Sequence, residues 1–144
     1  MRRGILGLAT VALLAASCGG TGGQPPPVPT CEIRFAAPPG FAPLPSFEEP
    51  YRDHVGLRLG FGDAARRELH VFSGIPGEIG EGLPAAGELD LSNGRTGVVL
   101  GRDTVWVVRW DEGDVCDPRA VLATGFRRKA FEQSLARAGI VPDM

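Results

Sequence analysis

The chain is poor in the residues that mark most recognisable chemistries. Of its 15 basic residues only Lys129 is lysine, and there are two histidines, one tyrosine and three cysteines in 144 residues. Basic residues are outnumbered, 15 to 17, for a formal charge of −2. Nucleic-acid binding needs a clustered basic surface to neutralise phosphates, so this balance argues against it. The one dense basic run, Arg127-Arg128-Lys129, reads as the solvated start of a helix. No Gly-x-Ser-x-Gly elbow surrounds any of the serines, and no glycine loop ends in Gly-Lys-Ser/Thr. No paired Cys-x-x-Cys or helical His-x-x-x-His exists to build a zinc site. Hydrolytic, phosphate-binding and zinc-finger chemistries are therefore all without their usual signatures.

What is present is concentrated at the N-terminus. Met1-Arg2-Arg3 is a positive lead, and Gly4 to Ala16 is uncharged and largely apolar. Such a stretch is too short to span a bilayer stably and reads as a signal peptide. It ends in Leu14-Ala15-Ala16-Ser17-Cys18, which resembles the lipobox of bacterial lipoproteins, with alanine in place of the commoner leucine three residues before the cysteine. The resemblance implies cleavage after residue 17 and thioether attachment of diacylglycerol, with further acylation such as palmitate, at Cys18. Two or three acyl chains are what durable anchoring requires. Without Arg2 and Arg3 the mature chain holds 13 basic residues against 17 acidic, a charge of −4.

Residues 18–30 carry a glycine-rich coil, Gly19 to Gly23, and a proline run, Pro25 to Pro29. They form a tether that can hold a domain about 30–40 Å from its lipid. Residues 31–144 form one domain. Its two cysteines, Cys31 and Cys116, are an even count for an oxidising compartment and predict a disulfide enclosing about 85 residues.

Within the domain, alternation predicts a short strand over Glu32–Ala36 and a loop from Pro38 to Pro50. A strand follows from His54 to Phe61, with Val55, Leu57, Leu59 and Phe61 on one face. It turns near Asp63 into a second strand, Glu68–Phe72. Ser73 to Gly87 reads as a glycine-rich loop. Glu88–Leu91, the Asn93-Gly94 turn and Gly97–Leu100 form a hairpin. Thr104–Trp110 is apolar on both faces and therefore central, or covered on its second side by a loop or the helix. Ala120–Ala123 gives a last strand. Arg127–Ala138 is a helix with Ala130, Phe131, Leu135 and Ala138 as its stripe, capped by Gly139-Ile140 and stopped by Pro142. The expected class is α+β, an antiparallel meander of about six strands with one C-terminal helix on a face. The layout resembles the small exported domains of actinobacterial lipoproteins, which implies a cell-envelope setting and no particular activity.

Three sets of residues are candidates for function. A hairpin centred near residue 63 would put His54 and His70 about 7 Å apart on one face, where Asp53 or Glu68 would complete a zinc shell. The ordinary alternative is two satisfied or surface histidines. Glu78 and Glu81, in Gly77-Glu78-Ile79-Gly80-Glu81-Gly82, form a carboxylate pair for acid–base or calcium chemistry, or simply solvate a loop. Trp106 and Trp110 share a strand face, either as core packing or as an exposed aromatic shelf for a sugar or a partner. The expectation from the whole is a lipid-anchored, extracytoplasmic, non-catalytic binding or accessory domain without a cofactor. It would sit on the cell membrane, or the outer membrane where there is one, and bind an envelope protein or small ligand. The alternative is a small metal-dependent envelope enzyme built on His54 and His70.

Overall fold

The protein is described here by a computed structural model covering residues 27–92 and 94–137. The export segment, Cys18, most of the tether, Asn93 and everything from Ala138 on, including the cap, lie outside the described residues. Among the described residues seven strands form one sheet: β1 (Ala42–Pro50), β2 (Val55–Gly62), β3 (Glu68–Ser73), β4 (Ala85–Asp90), β5 (Thr96–Arg102), β6 (Val105–Trp110) and β7 (Arg119–Thr124). One helix, α1 (Arg128–Arg137), follows them. The sheet order is β1-β2-β3-β7-β6-β5-β4, with every neighbouring pair antiparallel. It joins two meanders, β1 to β3 and β4 to β7, through the pairing of β3 with β7. The α+β class is as expected, with seven strands where about six are expected.

Strand β1 lies in the stretch expected to be a loop. It contains Pro43, Pro45 and Pro50, which cannot donate to a ladder. It lies at the sheet edge, the position where proline is tolerated, and a register shift between Leu44 and Phe47 absorbs the irregularity. Conversely, Glu32–Ala36 is not a strand. Its alternation is real, since Ile33 and Phe35 pack against the core and Phe35 stacks on Phe61 at 5.4 Å. The edge of β2 is already occupied by β1, so the segment lies over the sheet instead of beside it. The chain is docked slightly earlier, at Pro29 and Thr30, where Val55 N–H donates to the Pro29 carbonyl at 2.9 Å.

The core lies on the face of the sheet that carries Leu69, Val71, Val99, Trp106, Val108, Val121 and Ala123, and helix α1 contributes Phe131 and Leu135 to it. Trp106 is thus a core residue. Its Nε1 donates to the Asp103 carbonyl at 3.2 Å, and the Arg128 guanidinium lies 5.5 Å from its ring centre. Opposite it in register stands Gly101. A β-carbon there would run into the indole and the Val105 carbonyl, which is why the strand carries glycine at that point.

Strand β6 is central and apolar on both faces, as expected. Val107, on the face away from the helix, is fully buried beneath the connector between β3 and β4. A β-carbon on Gly80 would approach Val107 Cγ2 to 3.0 Å. The glycine-rich connector therefore crosses close over the sheet, which accounts for its composition in structural terms.

Candidate functional site

The two histidines are not brought together, which corrects the expected register. Asp63 sets it: its side chain accepts N–H bonds from Ala65 (3.1 Å) and Arg67 (2.8 Å) and an ion pair from Arg67 Nε (2.7 Å). The resulting loop is longer than a tight turn at residue 63, and His70 falls opposite Gly60 instead of residue 56. His70 Nε2 donates to Glu68 at 2.8 Å, and its Nδ1 accepts from Arg58 at 3.2 Å. His54 precedes β2 and has different partners. Among the described residues no group of three His, Cys, Asp or Glu side chains is arranged to hold a metal.

His54 is buried, with Tyr51 stacked on it at 4.9 Å between ring centres. Both its ring nitrogens face acceptors: Nε2 is 2.6 Å from the Gly74 carbonyl and Nδ1 is 2.7 Å from Asp53. Satisfying both requires the imidazolium. The Gly74 carbonyl first, and Asp53 second, raise its pKa above the ordinary histidine value against the opposing effect of burial. A raised folded-state pKa contributes stability that is full below the unfolded value of about 6.5 and is lost as pH rises through the folded one. Urea midpoints are therefore expected to fall as pH rises above about 6.5, and the slope should vanish in His54→Gln. A wild-type profile flat from pH 6 to 9 would refute the paired imidazolium.

Glu78 and Glu81 are exposed on the connector, with Glu81 N–H closing a turn onto the Glu78 carbonyl at 3.0 Å. Trp106, as described, belongs to the core. Trp110 is different. It stands one row beyond the helix-covered core, in the register row Ser73–Arg119–Trp110 across β3, β7 and β6. That row floors a cavity of about 590 Å³, walled on one side by Thr30, Glu32, Ile33 and Arg34 and on the other by Glu112, Asp114 and Cys116. The Cys31–Cys116 disulfide ties the two walls together.

The electrostatics of the cavity centre on Arg119. Its Nε meets Glu112 at 2.6 Å, and its Nη1 meets Asp117 at 2.6 Å and Asp114 at 2.9 Å. Nη2 donates to the second Asp114 oxygen at 3.0 Å. The Arg119 guanidinium holds the Asp114 carboxyl below the usual range. Burial alone would raise Asp117, but N–H bonds from Glu112, Gly113 and Asp114 outweigh it and keep this carboxyl low as well. Three carboxylates thus surround one guanidinium.

Two polar atoms of the floor have no such partners. Ser73 is 2% exposed, and its Oγ, like Trp110 Nε1, is buried without a hydrogen-bond partner among the described residues. Buried polar groups are normally paired, and each orphan costs about 1–3 kcal/mol. Both residues stand in one register row and line the same cavity. Of these residues the sequence pointed only to Trp110. Ser73 and Arg119 join it through strand register, and the only local trace was the density of aspartate between β6 and β7.

A smaller groove, about 300 Å³ beside Phe47 and Phe72, is a weaker candidate. Arg58 already lies against both rings, at 5.6 and 5.4 Å. Comparison with protein-family models, curated proteins and solved structures finds no match to this chain.

Proposed function

We propose that the protein is a cell-envelope lipoprotein, anchored by acyl chains on Cys18 to the extracytoplasmic face of the membrane. Its domain is a non-catalytic binding module that takes a small ligand into the cavity over Ser73, Arg119 and Trp110. The observation that carries the binding reading is a cavity of about 590 Å³ lined by Ser73 and Trp110, the two residues whose buried polar atoms, Oγ and Nε1, have no partner among the described residues. That volume lies within the range of about 300–1,000 Å³ usual for small-molecule sites, which combine apolar walls with a few placed polar groups. The anchor rests on the charged lead, the apolar stretch and the Leu-Ala-Ala-Ser-Cys sequence.

A residue kept for binding and not for folding has a distinctive stability signature. Ser73→Ala removes a buried hydroxyl that has no partner, so it should leave stability unchanged or raise it by up to about 1 kcal/mol. Equilibrium urea unfolding measures this directly. A loss above about 1 kcal/mol would mean that Ser73 is structural, and the binding site would lose its principal support. The anchor has its own readout. Intact mass of the membrane-extracted protein should show an N-terminus at Cys18 carrying diacylglycerol, and an unmodified N-terminus beyond residue 18 would overturn it.

A further inference from the structure

The end of the sheet away from the cavity concentrates cations. It is built from the β2–β3 loop, the β5–β6 turn and the connection from β7 to α1. The N–H groups of Gly125 and Phe126 both donate to the Thr104 carbonyl, at 2.9 and 3.2 Å, and the Arg67 guanidinium lies 4.9 Å from the Phe126 ring centre. The three loops thus form one surface. Arg67 is paired with Asp63 there, and Arg128 with Glu132. Arg66, Arg102, Arg127 and Lys129 are exposed, and none of them has an ion pair among the described residues. Asp103 is the one exposed carboxylate on these loops.

The placement of these charges narrows the partner. In the order β2-β3-β7-β6-β5, Arg66 comes first, then Arg127 and Lys129, then Arg102. Their loops span three to four strand spacings, about 15–20 Å. A single anion cannot meet cations so far apart, whereas a flexible chain with a charge every few ångströms can. The rings at this end, Phe41 and Phe126, lie under Arg67 and present no free face for a base to stack on. The N-terminal segment joins the sheet at the other end, where Thr30 pairs with Val55; β2 then runs from Val55 to Gly62, about 25 Å. The basic end therefore faces away from the point where the tether enters. Arg66 also holds φ at 63°, a conformation that glycine takes freely and a larger side chain takes at a cost. An arginine at that position burdens the loop and does not support it.

We propose that this end of the domain is an electrostatic docking surface for a flexible linear polymer of phosphate groups, which lies across Arg66, Arg127, Lys129 and Arg102. The surface is separate from the cavity and does not depend on what the cavity holds. Four contacts to a flexible chain, at about −0.7 each, give a salt slope of about −2.8, so affinity should fall about fiftyfold between 50 and 200 mM salt.

The test uses the full chain, ¹⁵N-labelled in uncharged detergent micelles and titrated with a short linear polyphosphate. The amides of Arg66, Arg102, Arg127 and Lys129 should shift saturably, and those of Glu112 to Asp117 should stay in place. Arg66→Gly and Lys129→Gln should each lower the salt slope by about 0.7, and Arg66→Gly should melt at the same temperature as wild type or higher. Orthophosphate matching polyphosphate at equal phosphate concentration would overturn the polymer, as would a slope that neither variant changes or an absence of shifts in low salt. If phosphatidylglycerol doped into the micelles shifts the four amides and polyphosphate does not, the surface meets a membrane and the inference fails. A single-stranded oligonucleotide of equal charge that binds about tenfold tighter than polyphosphate would replace it with base recognition.

Discussion

Replacing Cys31 and Cys116 together with serine is expected to destabilise the domain by about 4 kcal/mol, a fall in Tm on the order of 15 °C. The bridge joins residues 85 apart in sequence, so in the chain-entropy account its loss releases most of the domain in the unfolded state. The native state has reason to suffer as well. The segment from Pro29 to Phe41 belongs to no strand. Besides the disulfide it is held by one bridge to Val55 and by packing of Ile33, Phe35 and Phe41. Gly74 lies against the bridge so closely that a β-carbon there would come within 2.5 Å of Cys31 Sγ and 2.9 Å of His54 Cδ2, and His54 also binds the Gly74 carbonyl. The disulfide therefore fixes both the N-terminal wall of the cavity and the backbone next to Ser73. Thermal unfolding by circular dichroism of wild type and the double variant, with reductant as a second route to the same state, measures the effect. A fall of less than about 5 °C would show that packing alone holds the segment.

The elements legible in the sequence are those where one force dominates. Strand β6 could be placed in the interior because Val105 to Trp110 is apolar on both faces, and it is flanked by β5 and β7. Helix α1 was legible from the spacing of Phe131 and Leu135, both fully buried. Strand β1 was not, because its three prolines argue against pairing, and only its edge position makes them acceptable. An edge is a property of the assembled sheet and leaves no local mark. The β2–β3 register failed for a related reason. The position of the turn depends on the carboxylate of Asp63 capturing Ala65 and Arg67, and a displacement of a few residues is enough to separate His54 from His70.

The candidate site was less legible than the fold. Trp110 and the cysteines could be singled out by residue type. The cavity also needs residues 30–34, Ser73 and the acidic loop before β7, three stretches far apart in sequence that meet through the β3–β7–β6 register and the disulfide. Two tryptophans four residues apart on one strand face looked equivalent. The row decides between them: Trp106 lies in the core that α1 helps to build, and Trp110 lies one row further on, where the cover is a loop and a cavity.

That division between core and cavity leads to the second large expected effect. Phe131→Ala should cost about 3–5 kcal/mol, a large share of the 5–15 kcal/mol that usually holds a domain together. Helix α1 has ten residues and no acidic residue in its first turn, where Arg128 and Lys129 oppose the helix dipole. Isolated helices of this length are marginal in water. Its one described ion pair, Arg128 to Glu132 at 3.0 Å, is partly exposed and contributes about 0.5 kcal/mol at most. The helix therefore exists because Phe131 and Leu135 are buried, and removing the larger of them both leaves a cavity and undermines the element that carries it. Urea unfolding should place Phe131→Ala well below Leu135→Ala, and a cost under about 2 kcal/mol would mean that the helix is held by something other than this face. No helix residue lines the cavity over Trp110. In conditions where Phe131→Ala remains folded, its Trp110 indole should therefore respond to ligand as in wild type, whereas Ser73→Ala should weaken the response while keeping its stability. Opposite outcomes for the two variants would establish that the helix-side core serves folding and the row beyond it serves binding.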